Sequence, residues 1–284
     1  MSIPVEKVAV AGFEMNYFRF GTGEKTMVIL PGLSIQSVMG SAQAVAGEYA
    51  VMKDDFTVYL FDRRSQLPER YSVHDMAEDT VLAMEALGLK EIHLFGASQG
   101  GMIAMDIAIH HPGLVSRLTL GSTASEAGNA DGGAMNKWLS LAKAGERVEL
   151  FVEFGRAIYP DAVFEKFCGA LASAGAMVTD EELARFVKLA EATEGFNVTD
   201  RLPEIRCPVL VLGASDDRVL GARATELIIE KLGERPDFSF HIYDGFGHAA
   251  FDTAPDYQDR LYKFFMESCE ASSNLIYGRI EKNV

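Results

Sequence analysis

Residues 91–111 read EIHLFGASQGGMIAMDIAIHH, and the fold turns on how this stretch is parsed. Ile92 to Phe95 form a short apolar run interrupted by one histidine, as in a mostly buried strand. From Gln99 onward, Met102, Ile103, Met105, Ile107 and Ile109 suit a helix packed deep in a core. Between them lies Gly96-Ala97-Ser98-Gln99-Gly100, a G-x-S-x-G sequence. A serine in so tight a strand-to-helix turn carries a strained backbone, and side chains two positions to either side would collide, so glycine suits both places. The helix that follows aims its first N–H groups at the turn, where they can stabilise developing negative charge. The pentapeptide by itself is equally an ordinary glycine-rich turn. With a strand before it and a helix after it, Ser98 reads as a nucleophile.

Outward from this turn the chain alternates strand and helix. Upstream, residues 7–20 and the Gly21-Thr22-Gly23 turn predict an antiparallel hairpin. Met27 to Leu30 predict a buried strand ending in Pro31-Gly32-Leu33-Ser34. A helical stretch over 36–52, a strand from Phe56 to Phe61 and a helix from Val73 to Leu87 follow, the last stopped by Gly88. Downstream, a strand runs from Leu114 to Leu120. The alternation breaks over 124–200, where helical segments near 135–145, 147–157, 161–173 and 180–192 come with no convincing strand. It resumes with strands at 208–213 and 238–243 and helices at 222–232 and 255–268. The expected architecture is α/β, a mostly parallel central sheet with helices on both faces. Residues 1–123 and 201–284 would form the core and residues 124–200 a helical cap insertion. The segment after about Ala271 is polar until LIY at 275–277, and reads as a loose tail or a docking arm.

Composition narrows the functional classes. Net charge is −15 without a Lys/Arg run, which disfavours nucleic acid and anionic membrane surfaces as partners. No apolar run nears the roughly 20 residues of a membrane span, and MSIPVEKVAV lacks the pattern of a secretory signal. Cys168, Cys207 and Cys269 are odd in number and widely spaced. They read as reduced thiols of a cytoplasmic protein, with neither a disulfide framework nor metal-ligand spacing. The partner expected is a small-molecule substrate, with a homodimer left open.

A serine hydroxyl needs a base, and the base needs a carboxylate to fix its tautomer. Of six histidines, His93 and His241 fall inside strands, His74 begins a helix, and His110 and His111 end the helix after Ser98. His248 lies instead in the loop Asp244-Gly245-Phe246-Gly247-His248-Ala249, directly after the last strand. That loop opens at the sheet edge where Ser98 is expected, so His248 is the candidate base. The strand at 208–213 is followed by Ala214-Ser215-Asp216-Asp217-Arg218-Val219, which offers two adjacent aspartates. Their plainer role is helix capping or a turn. The order Ser98, then Asp217 or Asp216, then His248 is that of hydrolases with a strand–turn–helix nucleophile.

Taken together, Pro31-Gly32-Leu33, Phe61-Asp62-Arg63-Arg64, Gly96-Ala97-Ser98-Gln99-Gly100-Gly101, the Asp216-Asp217 loop and Gly247-His248 resemble the α/β-hydrolase superfamily, in its capped esterase- and lipase-like branch. Members often carry His-Gly where this chain has Pro31-Gly32. The resemblance covers about residues 7 to 268 and implies an oxyanion hole from the N–H groups of Leu33 and Gln99. In sequences of this kind the catalytic aspartate is often followed two residues later by Val or Ile and four later by Gly or Pro. Val219 and Gly221 fit Asp217, whereas a count forward from Gly213 fits Asp216; Asp217 is favoured. Relatives with dehalogenase or epoxide hydrolase activity have aspartate in place of Ser98, so serine points to acyl transfer.

The first expectation is therefore a serine hydrolase cleaving a carboxylic ester of a small or medium apolar substrate, without metal or organic cofactor. Met135, Trp138, Phe151, Phe154, Phe164, Phe167 and Met177 would line its pocket, or else form the core of the cap. A carbon–carbon bond hydrolase of the same fold is the alternative. A non-catalytic receptor or scaffold is a remoter one. A dinucleotide site at Gly96–Gly101 is disfavoured because that fingerprint normally follows a chain's first strand.

Overall fold

In the third strand, Met27 and Ile29 face one layer of helices while Val28 and Leu30 face the other, and all four side chains are buried. The same parity governs the strand at 92–97, where Ile92 and Leu94 face one way and Phe95 and Ala97 the other. Strands buried on both faces demand a helix layer on each side. The computed structural model describes residues 2–10, 12–127 and 133–267, and it supplies both layers. Cys269 and the tail from Ala271 lie outside the described residues.

The sheet contains β1 (Glu6–Val10), β2 (Phe13–Phe20), β3 (Lys25–Leu30), β4 (Phe56–Arg64), β5 (Ile92–Ala97), β6 (Val115–Gly121), β7 (Val209–Ala214) and β8 (Phe238–Tyr243). Their order is β1-β2-β4-β3-β5-β6-β7-β8, with the β1–β2 and β2–β4 pairs antiparallel and the remaining pairs parallel. The helices comprise α1 (Ala42–Glu48), α2 (Val73–Ala86), α3 (Gln99–His110), α4 (Ala134–Lys143), α5 (Arg147–Ile158), α6 (Asp161–Gly175), α7 (Asp180–Glu191), α8 (Ala222–Leu232), α9 (Ala250–Thr253) and α10 (Tyr257–Met266). Side chains of α2, α3 and α8 share one apolar core with the sheet, and those of α1 and α10 share the other.

Two expectations change. The stretch 36–52 is not one helix: α1 spans only Ala42–Glu48, between short 3₁₀ turns at Val38–Ser41 and Ala50–Met52. Gly40 and Gly47 are poor helix formers near its two ends. The helix expected at 255–268 is found as α10, shortened to Tyr257–Met266, and a four-residue helix that was not expected, α9, precedes it. Ala254 sits in extended backbone at φ −82°, ψ 127°, as the following Pro255 favours, so α9 stops there and α10 starts at Tyr257.

The sheet order places the candidate site. From β3 the chain moves to β4 on one side, and β5 then lies on the other. Helices on opposite faces part at such a reversal and leave a crevice beyond the carboxyl ends of the two strands. Those ends are Leu30-Pro31-Gly32-Leu33 and Ala97-Ser98. Helices α4 to α7 all fall between β6 and β7.

Candidate active site

Ser98 stands between β5 and α3 with φ 52° and ψ −122°, a backbone that L-residues rarely adopt and that packing must hold in place. Ser98 N–H donates to Gly121 O (2.9 Å), while its carbonyl accepts from Gly101 N–H (2.8 Å) and the Thr123 hydroxyl (2.6 Å). The flanking glycines are there for close approach. A Cβ on Gly96 would lie 2.3 Å from Gly100 O, and one on Gly100 would lie 2.0 Å from Leu30 O. Gly100→Ala is accordingly expected to destabilise the fold by about 3 kcal/mol, because backbone cannot move aside as a side chain can. Urea unfolding checks this, and an unchanged midpoint would mean that β3 and α3 separate at no cost.

His248 follows β8 and is 4% exposed, and Asp217 follows β7 and is 8% exposed. His248 Nδ1 donates to Asp217 Oδ2 (2.8 Å). The other oxygen, Oδ1, accepts from the Val219 and Leu220 N–H groups (2.8 and 2.9 Å). Burial pushes the Asp217 carboxyl up, but the charge and hydrogen bond of His248 and the two N–H donors outweigh it and hold the carboxyl below its ordinary value. Asp216 points elsewhere: its carboxylate accepts the Gly247 N–H at 3.1 Å from each oxygen. The two neighbours thus divide the loop, one holding the imidazole and the other the backbone before it.

Ser98, His248, Leu33 and Gln99 line one cavity of about 790 Å³. Gln99 is the first residue of α3, so its N–H has no partner inside the helix. Behind it, the buried Arg63 donates to Pro31 O (2.7 Å) and Gln99 Oε1 (3.4 Å), tying the loop after β3 to the start of α3. Burial lowers the Arg63 guanidinium to about 10, so it stays charged at neutral pH.

Helices α4 to α7 are fastened around this cavity. Gln99 Nε2 donates to Leu189 O (2.6 Å), Ala249 N–H donates to Ile158 O (2.9 Å), and Arg185 donates to Arg64 O (2.8 Å). Of the seven side chains expected to line a pocket, Met135, Trp138, Phe151 and Phe154 do. Phe164, Phe167 and Met177 are not among the lining residues. Phe164 packs under Arg156 (4.4 Å), and Phe167 and Met177 are 52% and 74% exposed. Phe164 and Phe167 lie in the first half of α6, whose Leu171 reaches the cavity instead, and Met177 lies in the turn after that helix.

Sequence reading missed Tyr49, Tyr159 and Asp252, which also line the cavity. Asp252 lies in the short helix α9, four residues beyond His248, and nothing in its local sequence marks it. Its enclosure by protein pushes its carboxyl up to about 6; the Glu48 charge adds to this and the Tyr159 hydroxyl opposes it. The side chain nevertheless stays accessible through the cavity.

The other histidines lie elsewhere. His93 packs edge-on against Phe56 and Phe265, where burial lowers it to about 4, so it is neutral. His74 and His110 share the Asp106 carboxylate (2.8 and 3.0 Å), and their ligand atoms lie within 4.8 Å of one another. Arg201 already donates to His110 Nε2 (2.9 Å), and its charge opposes a cation there. Among the described residues no helix is long and apolar enough to cross a membrane.

The sequence model of the alpha/beta hydrolase family matches residues 27–258. "Putative carbamate hydrolase RutD" of Agrobacterium fabrum is 27% identical over 83% of this chain and 93% of its own length. Human "Serine hydrolase BPHL" is 26% identical over 76% of this chain and 71% of its own. Among solved structures, MGS-M2, an alpha/beta hydrolase enzyme from a Medee basin deep-sea metagenome, superposes with a TM-score of 0.82 at 20% identity, over 93% of this chain and 98% of its own. The enol-lactonase from Burkholderia xenovorans LB400 superposes with a TM-score of 0.78 at 18% identity, over 92% and 100%. With the family's sequence model running through most of the chain, the protein belongs to the alpha/beta hydrolase family.

Proposed function

We propose that the protein is a serine hydrolase that cleaves carboxylic esters through an acyl-enzyme on Ser98. The observation that carries this reading is the strained Ser98 opening onto the same cavity as His248, whose Nδ1 is held by Asp217. With Nδ1 committed to the carboxylate, Nε2 is the nitrogen left to take the serine proton. Oγ then attacks the ester carbonyl. The N–H groups of Leu33 and Gln99 receive the oxyanion, with the Arg63 charge behind them favouring it. His248 returns the proton to the leaving alcohol, and water repeats the sequence on the acyl-enzyme to release the acid. Asp217 remains ionised throughout and stabilises the imidazolium.

Residues 124–200 would act as the cap, setting acyl-chain preference through Trp138, Phe151 and Phe154. Phe154→Ala is expected to raise the ratio of kcat/KM for octanoate over butyrate p-nitrophenyl esters about tenfold, the order that pocket size discriminates. An identical chain-length profile in the variant would remove the cap from substrate selection.

Carbon–carbon bond hydrolysis by the same residues is the second reading, and a carbamate carbonyl would meet the same groups. A panel of p-nitrophenyl esters, an aryl carbamate and a ring-fission dienoate separates them. Turnover of the dienoate without turnover of any ester would displace the first reading.

A further inference from the structure

The charges around the cavity are one-sided. Glu126, Glu182 and Asp252 line it, and no Lys or Arg does so among the described residues. None of these three carboxylates has a cationic partner among the described residues. Glu126 accepts from the Asn197 amide (3.0 Å), and Glu182 from the Gln36 amide (3.3 Å) and the Thr179 N–H (2.8 Å). Among the described residues, the Asp252 carboxylate accepts only from the Tyr159 hydroxyl, at 3.5 Å. Arg63 is committed to Pro31 O and Gln99, and Arg185 to Asp62 and the β4 carbonyls. A carboxylate that opens onto a largely apolar cavity, is accessible to a ligand and has no cationic partner is placed to receive a cation.

We propose that this cavity selects substrates bearing a protonated amine and rejects anionic ones, with Asp252 as the group that receives the ammonium. Tyr49, Tyr159 and Phe251 line the cavity beside Asp252, and a carboxylate with aromatic neighbours is the combination that binds an ammonium through its charge and its C–H surface. The acyl or alcohol part carrying the amine would rest there while the ester carbonyl meets Ser98. An anionic substrate would face three uncompensated negative charges. The elevated carboxyl of Asp252 is consistent with this, since an ammonium would supply the partner it lacks. The inference rests on the serine-hydrolase reading for the reaction, though not for the binding.

Trp138 is the sole tryptophan of the chain and lines the cavity, so its fluorescence reports occupancy without turnover. Titrations with hexylammonium, hexanol and hexanoate at pH 8 and fixed salt compare charge at constant chain length. Hexylammonium is expected to bind about tenfold more tightly than hexanol, the worth of one charge-assisted hydrogen bond. Against hexanoate the expected margin is about a hundredfold. In Asp252→Asn, or in Asp252→Ser should the first not fold, the ammonium-to-alcohol ratio should fall to about one. Hexanoate binding as tightly as hexylammonium would overturn the proposal, as would an ammonium preference that survives both variants. Loss of the serine-hydrolase reading would appear separately, as absent ester turnover in a protein that still discriminates the three ligands.

Discussion

Ser98→Ala is expected to lower kcat for p-nitrophenyl butyrate by about 10⁶-fold, since the members of such a unit act together and removing the nucleophile forfeits nearly all of its effect. Little of that loss should come from misfolding. The hydroxyl is not what holds the elbow: the Ser98 N–H and carbonyl bonds to Gly121, Gly101 and Thr123 are made by backbone atoms and survive the substitution. The Ser98→Ala protein should therefore keep its unfolding midpoint and its ligand-induced change in Trp138 fluorescence. Turnover that persists within a factor of ten would remove Ser98 from the chemistry.

Asp217→Asn is expected to reduce kcat by about 10⁴-fold, as loss of the orienting carboxylate does in serine-protease triads. An asparagine can still accept the Val219 and Leu220 N–H groups through its oxygen. Its amide then presents donors to His248 Nδ1, and the imidazole is driven to the tautomer that protonates Nε2. Asp216→Asn retains an acceptor for Gly247 N–H, so its cost should stay below about tenfold. The ranking is the informative result. If Asp216→Asn were the more damaging change in folded protein, the imidazole would be governed from the other side of the loop.

Much of this arrangement was legible in the sequence because it is local. The run from Ile92 to His110 announces strand, elbow and helix, since burial and glycine placement leave few other conformations. The loops bearing Asp217 and His248 follow late strands of a parallel sheet, so both open at the edge where Ser98 stands. What was not legible depends on which face of an element meets which neighbour. Phe164, Phe167 and Met177 read like cavity residues beside Trp138 and Phe154, and only helix packing separates the two sets. Arg63 resembles any strand-end arginine until β4 is placed beside β3 and its guanidinium falls on Pro31 O. Asp252 is silent for the same reason: an aspartate in a short helix is ordinarily solvated, and its meaning comes from Tyr49 and Tyr159, far away in sequence.

The central claim is that one serine is activated, and Ser34, Ser37 and Ser41 line the same cavity as Ser98. Kinetics of the wild-type protein cannot tell these hydroxyls apart, but the position of a covalent adduct can. A fluorophosphonate accepts attack at phosphorus as an ester does at carbon, and peptide mass mapping of the labelled protein locates the bond. The account predicts one adduct per chain, on Ser98, and none on the Ser98→Ala protein. An adduct on another serine, or an unlabelled wild-type protein that still hydrolyses esters, would contradict it.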